Sequence, residues 1–331
     1  MQDTQKLNSA CLFILTVIAV ACVLYFTKVV MVPFVFSIFL YLTISPVMHW
    51  MQGKFKLPHF VSLVITVLLF LVTFVLFTLL TSSSIDSFLE GADQYKDKVN
   101  GAASFIELKA ESLGFDISEY DIRGKLKSLP IFSFLKSLTG SMLSLFSNTF
   151  LIIIFSLFLL TGENISKREV KTLEMIKSSI AKYVSSKLLL SIMTGGLSYI
   201  VYLIADVDLA IMFAMLTFLL NFIPNIGSVV AMILPIPVLL LQFGLGWQTP
   251  FVIVITVLLQ AIIGNVLEPK MLGDSMDLHP VTILLFLTFW GFIWGIPGMF
   301  LSVPITATLK IIFSKIELTK PVAEIFAGRF N

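Results

Sequence analysis

The chain has 331 residues, 57% of them hydrophobic and 13% charged, with a mean hydropathy of +0.99 and a formal net charge of +2. Soluble domains carry about a quarter of their residues as Asp, Glu, Lys and Arg, so this composition excludes a water-facing surface over most of the length and places the protein in lipid. A net charge this small says little about partners, and no segment has the form of a nucleic-acid-binding module.

Apolar runs recur at residues 9–27, 29–50, 60–81, 141–161, 188–205, 209–243, 250–267 and 281–314. They are rich in Leu, Ile, Val and Phe without period-two alternation, which predicts helices and not barrel strands. The expected fold is an all-α polytopic membrane protein with about eight hydrophobic segments. Its expected divisions are an N-terminal membrane part at 1–81, a polar insert at 82–140, a span at 141–161, an amphipathic helix at 162–187, a C-terminal core at 188–314 and a tail at 315–331.

The first run, residues 9–27, matches the roughly 20 residues of a bilayer core and lacks a small-residue cleavage site, so it is expected to stay as the first span. Cys11 and Cys22 both lie on it, about 16 Å apart along a helix, beyond disulfide reach. Lys54 and Lys56 follow the second run, a basic cluster from Lys167 to Lys187 follows the fourth, and Lys310, Lys315, Lys320 and Arg329 mark the tail. Positive charge collects on the cytoplasmic side of bacterial membranes, which predicts an inner-membrane protein with both termini inside.

That parity puts the polar insert outside the cell. Ile85, Phe88, Ala92, Tyr95, Val99, Ala102, Ile106 and Leu113 recur there in three- and four-residue steps interrupted only by Lys109, a coiled-coil-like seam that packs on its own neighbours, on lipid, or on a sister subunit. After the insert and the fourth span, residues 162–187 carry a partial apolar face amid Lys and Glu, as a helix beside anionic lipid does. The next span has Ser191, Gly195 and Ser198 on one face, small residues that let helices approach closely.

The run at 209–243 is interrupted by NFIPNIGS, residues 221–228. Pro224 has no amide hydrogen and its ring crowds the preceding turn, while Gly227 permits a sharp turn, so a broken or re-entrant helix is expected. Bare backbone survives at membrane depth only against protein or a wet cavity. Asn221 and Asn225 either serve such a cavity with their amides or simply cap the two helix ends.

Gln260, Asn265 and Glu268 then fall on the span ending in GNVLEP, with Asn265 and Glu268 three apart and so sharing a face. Glu268 is either a carboxylate at depth that exchanges a proton or cation, or a rim residue released where Pro269 ends the helix. Asp274, Asp277 and His279 are expected in a solvated loop. A second break at Gly295, Pro297 and Gly298 weakly echoes the first, and paired Gly/Pro interruptions are a pointer to a transporter's solute path. Phosphate loops, zinc spacings and catalytic triads are absent from the sequence, so neither an enzyme nor a metal or cofactor is expected.

NFIPNIG with Pro235 and Pro237, then GNVLEPKMLG with LHP, then GIPGMFLSVPITATLK, resembles the autoinducer-2 exporter family of bacterial membrane proteins over nearly the whole chain. The resemblance implies a transport region shaped by Pro224, Asn225 and Gly227 in the broken-helix motif and by Asn265, Glu268, Pro269, Gly273 and Pro280 in the loop signature. It implies homo-oligomers, pentamers by the family pattern. Export of autoinducer-2 is the first functional expectation, sodium or other cation/proton antiport through Glu268 the alternative, and a non-transporting scaffold the third.

Overall fold

A computed structural model describes residues 2–58, most of 60–80, 149–162, 171–244, 246–272 and 276–329. The expected insert at 82–140, with its seam, lies outside the described residues, as does Asp274.

Every regular element among the described residues is a helix. Among the described residues, four helices are long and apolar enough to cross a membrane: Thr172–Ile204, Ile226–Phe243, Gln248–Leu272 and Ile296–Ser314. A fifth span arises if Leu15–Phe26 and Lys28–Leu42, bent by 89° at their junction, are taken as one. The expected count of about eight is therefore not reached among the described residues, partly because the runs at 60–81 and 141–161 are described over only part of their length.

The bend has a local cause. Helices α1 (Gln2–Phe26) and α2 (Lys28–Phe55) meet at Thr27, whose hydroxyl donates to the Val23 carbonyl at 2.6 Å and whose φ of −91° and ψ of 7° lie outside the helical well. Lys28 then folds its ammonium over the Tyr25 ring, 4.7 Å from the centroid, a cation–π contact that shields the charge at the corner.

Two compact units divide the chain, the first comprising Met1–Val67, Leu145–Val184 and Asp274–Asn331, the second Leu68–Ser144 and Ser185–Gly273. In the first, α2 packs on α3 (Thr149–Gly162), where Ser156 donates to the Ser37 carbonyl at 3.3 Å and Phe34 meets Phe155 edge-on. Later in the chain, α10 (Pro280–Trp294) and α11 (Ile296–Ser314) form a hairpin about Gly295, whose φ of 67° is open to glycine. Phe300 of α11 sits against Phe36 and Phe39, and the Trp294 indole donates to the Leu24 carbonyl at 3.0 Å.

The tail of this unit closes on itself. The short α12 (Lys320–Phe326) lays Phe326 between Phe286 and Phe313. Asp277 pairs with Lys310 and, at 3.2 Å, with Arg329, beside a cavity of about 260 Å³ that Glu324 also lines. His279 caps α10 by accepting from the Val281 amide at 3.3 Å. The solvated loop expected for Asp277 and His279 is thus a tied junction, Asp277 being held by Lys310 and Arg329 while the His279 backbone amide donates to the Phe326 carbonyl at 2.9 Å.

The second unit runs from the later part of α4 (Lys171–Ile204) through α5 (Ala210–Leu220), α6 (Ile226–Ile233), α7 (Ile236–Phe243) and α8 (Gln248–Ile262) to α9 (Glu268–Leu272). The boundary expected at residue 187 falls inside α4, which is one helix of 34 residues. Over its later part polar residues turn inward: Lys187, Ser191, Thr194 and Ser198 are buried, as are Leu190, Val201 and Tyr202, whereas Leu189, Ile192, Ile200 and Leu203 face outward. Apolar outside and polar inside is what a hydrocarbon solvent selects. At the far end of α4, Gln242 of α7 holds the Asp206–Asp208 turn, accepting from the Asp208 amide at 2.8 Å and donating to the Asp206 carbonyl at 2.7 Å.

Candidate functional site

The interruption at residues 221–228 is built as its residues dictate. A proline at 224 would drive its ring into the carbonyl of Leu220, four residues back, so α5 must stop there, and it does. Asn225 takes φ of 58°, and Gly227 brings its bare α-carbon against the Leu220 carbonyl, where a Cβ would overlap both the oxygen and the carbon. Only glycine permits that approach, which folds α6 back on α5.

A helix that ends inside protein leaves carbonyls without intrahelical partners. Here they are matched in turn: Leu219 accepts from Phe222 at 3.2 Å, Leu220 from Ile223 at 2.8 Å, and Asn221 from the ammonium of Lys187 at 3.1 Å. The cation at this position also meets the negative end of the α5 dipole. One turn further along α4 from Lys187, the Ser191 hydroxyl accepts from the Asn221 side-chain amide at 3.1 Å. Asn221 is therefore gripped through both its backbone and its side chain.

The same ammonium lies 2.6 Å from a carboxylate oxygen of Glu268; the lysine side chain is 2% exposed and the glutamate 21%. Glu268 reaches this position through a distortion in its own helix. Residues Ile263–Leu267 form a π turn, in which the Glu268 amide donates to the Ile263 carbonyl five residues back. Pro269 explains the widening: it has no amide to donate and its ring would crowd the Asn265 carbonyl in a regular α-helix.

The π turn also sets which way Glu268 faces. Thr249, Val252, Thr256 and Gln260 make the buried side of α8. At about 100° per residue Glu268 would sit roughly 80° around from Gln260 in an unbroken helix; the extra residue absorbed by the π turn returns it to within about 20° of that side. Asn265, expected to share a face with Glu268, is instead exposed, because the wide turn breaks the three-residue register between them. Pro269 does not end the helix at Glu268, which continues as α9 to Leu272.

Of the residues singled out in the sequence, the structure joins Asn221 and Glu268 through the Lys187 ammonium, with Pro224 and Gly227 shaping the turn beside Asn221. Gln260 is buried, and its side-chain oxygen has no hydrogen-bond partner among the described residues. Asn225 is exposed and makes no side-chain capping bond to α6, and Pro269 is also exposed. Gly295, Pro297 and Gly298 belong to the other unit, where a Cβ at Gly298 would overlap the Trp290 carbonyl.

Lys187 was missed, counted with the basic cluster before the span. The signal was present: it opens the apolar stretch KLLLSIM, four residues before Ser191, and residues 209–267 hold no ionisable acid or base that could pair with Glu268. Chemically, the assembled groups can bind a cation or a hydrogen-bonding solute through carboxylate, carbonyl and amide, and the described residues hold no group of three or more His, Cys, Asp or Glu side chains placed to share a metal ion.

The family model for AI-2E family transporters matches residues 14–317. A Haemophilus influenzae protein whose name provisionally assigns it to transport is 30% identical over 94% of each chain. The AI-2 transport protein TqsA of Escherichia coli is 27% identical over 89% of this chain and 88% of its own. A Borreliella burgdorferi protein with the same provisional name as the first is 36% identical over 50% of this chain and 46% of its own.

Proposed function

The chain belongs to the AI-2E transporter family, and from that premise we propose that it is a secondary transporter moving a small polar solute across the bacterial inner membrane, with export of autoinducer-2 as the favoured cargo. The observation that carries the proposal is a broken helix whose freed Asn221 carbonyl is held by a buried lysine, in a protein otherwise walled with apolar side chains. Polar groups inside such a wall are costly, and a solute path is the common reason for keeping them. TqsA, named for transport of AI-2, supports that cargo. The same reading sets both termini in the cytoplasm and associates copies of the chain as a homo-oligomer, a pentamer by family resemblance, with lipid as its surroundings.

Everted membrane vesicles from cells expressing the protein test the cargo. Export in the cell becomes uptake into such vesicles, and autoinducer-2 accumulation is expected with the wild type and is expected to fall at least about tenfold with Asn221→Ala, a loss of roughly 1.4 kcal/mol in transition-state stabilisation. Uptake no greater than in vesicles lacking the protein rules out this cargo.

The Lys187–Glu268 contact favours a second reading, cation/proton antiport, in which Glu268 is the exchanging carboxylate. Cation-driven pH changes in everted vesicles are expected to disappear with Glu268→Gln. An unchanged response would remove Glu268 from the mechanism.

A further inference from the structure

The groups around the Lys187 ammonium are all acceptors. On one side is a carboxylate oxygen at 2.6 Å and on another a backbone carbonyl at 3.1 Å, the latter at the negative end of α5. Both are hard oxygen donors, the ligand type that alkali cations take, and each is held by the fold: Asn221 by Ser191 and the proline break, Glu268 by the π turn. Helix ends with unwound carbonyls beside a carboxylate are how membrane transporters hold small cations.

We propose that the Glu268 carboxylate and the Asn221 carbonyl form a monovalent-cation site, and that Lys187 fills it with a tethered cation that a free one replaces when the lysine withdraws. Charge fixes the class of ligand. One carboxylate balances one positive charge, and the other Asp, Glu, Lys and Arg residues of the described second unit are Asp206 and Asp208, roughly 28 Å along α4 from Lys187, and the exposed Lys270. A divalent ion in the same place would leave an uncompensated charge inside an apolar wall.

Stability does not account for the pair. A buried ion pair is commonly no more stabilising than well-packed apolar side chains of the same volume, whereas a tethered cation keeps an exchange site closed and neutral when no solute ion is present. The inference rests on the second reading of function, in which Glu268 binds a cation. It differs in assigning the rest of the site and its resident occupant.

The test is binding, not flux, so its failure and that of antiport can be told apart: cation binding without cation flux keeps the site and removes antiport. Full-length Lys187→Ala is purified in detergent, and its thermal unfolding midpoint is measured in ammonium, methylammonium, sodium or potassium chloride against choline chloride at equal ionic strength. At least one small cation is expected to raise the midpoint by about 3 °C or more, as a ligand at well above its dissociation constant does. The wild type should show no such preference, and Lys187→Ala combined with Glu268→Gln should lose it. Equal midpoints in all salts, or a response that persists without Glu268, would overturn the proposal. If Lys187→Ala does not fold, Lys187→Gln is measured in the same way. If that also fails to fold in every one of these salts, the proposal is overturned, because no free cation then takes the place of the lysine.

Discussion

Substituting Gly227 by alanine tests whether the break is held by backbone contact. Alanine at an unencumbered helical glycine gains up to about 1 kcal/mol, and Gly196, exposed in the middle of α4 with nothing within 4 Å of a built Cβ, provides that reference. At Gly227 the new methyl would meet the Leu220 carbonyl oxygen and carbon, and would come within 3.2 Å of the Ile223 Cβ. A backbone carbonyl cannot rotate away as a side chain can, so α5 and α6 must separate. Overpacking of this kind costs about 1–3 kcal/mol, and the shift would weaken the bonds from Lys187 and to Ser191 that hold Asn221, about 1 kcal/mol each. Net of the propensity gain, Gly227→Ala is expected to lose about 3 kcal/mol while Gly196→Ala is neutral or stabilising. Thermal unfolding of the two purified variants in one detergent, followed by tryptophan fluorescence, reads the difference. A Gly227→Ala midpoint at or above that of the wild type would refute the argument that the turn depends on this approach.

Other outcomes follow from single contacts. Glu268→Gln strands a buried ammonium and is expected to destabilise by about 3 kcal/mol, whereas Lys187→Met combined with Glu268→Gln should regain most of that loss, measured as a double-mutant cycle on unfolding free energies. Gln242→Ala removes two bonds to the Asp206–Asp208 turn and should speed hydrogen exchange of the Asp208 amide at least about fivefold, equivalent to roughly 1 kcal/mol. Asp277→Asn weakens the pairing with Lys310 and Arg329, and because Asp277 is 39% exposed the effect on global stability should stay below about 1 kcal/mol. It should appear instead as faster proteolysis within residues 320–329.

The helical class and the position of the first break were legible in the sequence because they follow from local chemistry. Composition selects lipid, and Pro224 forbids the helix from passing Leu220 whatever surrounds it. The turn at Gly227 was legible for the same reason. The position of Glu268 was less so, since a three-residue register assumes a regular α-helix and the π turn at Ile263–Leu267 breaks it; the Pro269 that causes the widening leaves a carboxylate at depth and a helix end at the rim equally open in the sequence. Lys187 was hidden by its neighbours. It follows a basic, partly apolar segment, and orientation rules assign such lysines to the loop, whereas its burial depends on Asn221 and Glu268, 34 and 81 positions further along the chain. The apolar stretch that Lys187 opens hints at its burial, but no local pattern names those two partners.

The two Gly/Pro interruptions share a method of construction without sharing chemistry. At each, a glycine sits against a carbonyl of the preceding helix, Gly227 on Leu220 and Gly298 on Trp290, so that two helices can turn back within a few residues. The first turn carries Asn221, whose carbonyl and amide are met by Lys187 and Ser191. The second, Gly-Ile-Pro-Gly, has no polar side chain, and its neighbours Trp290 and Trp294 pack as rings 5.0 Å apart. A chain that needed only tight hairpins would have had no use for a buried lysine at either. The asymmetry therefore locates the polar chemistry at Asn221, Lys187 and Glu268, and leaves the hairpin at Gly295 as packing that holds α10 against α11.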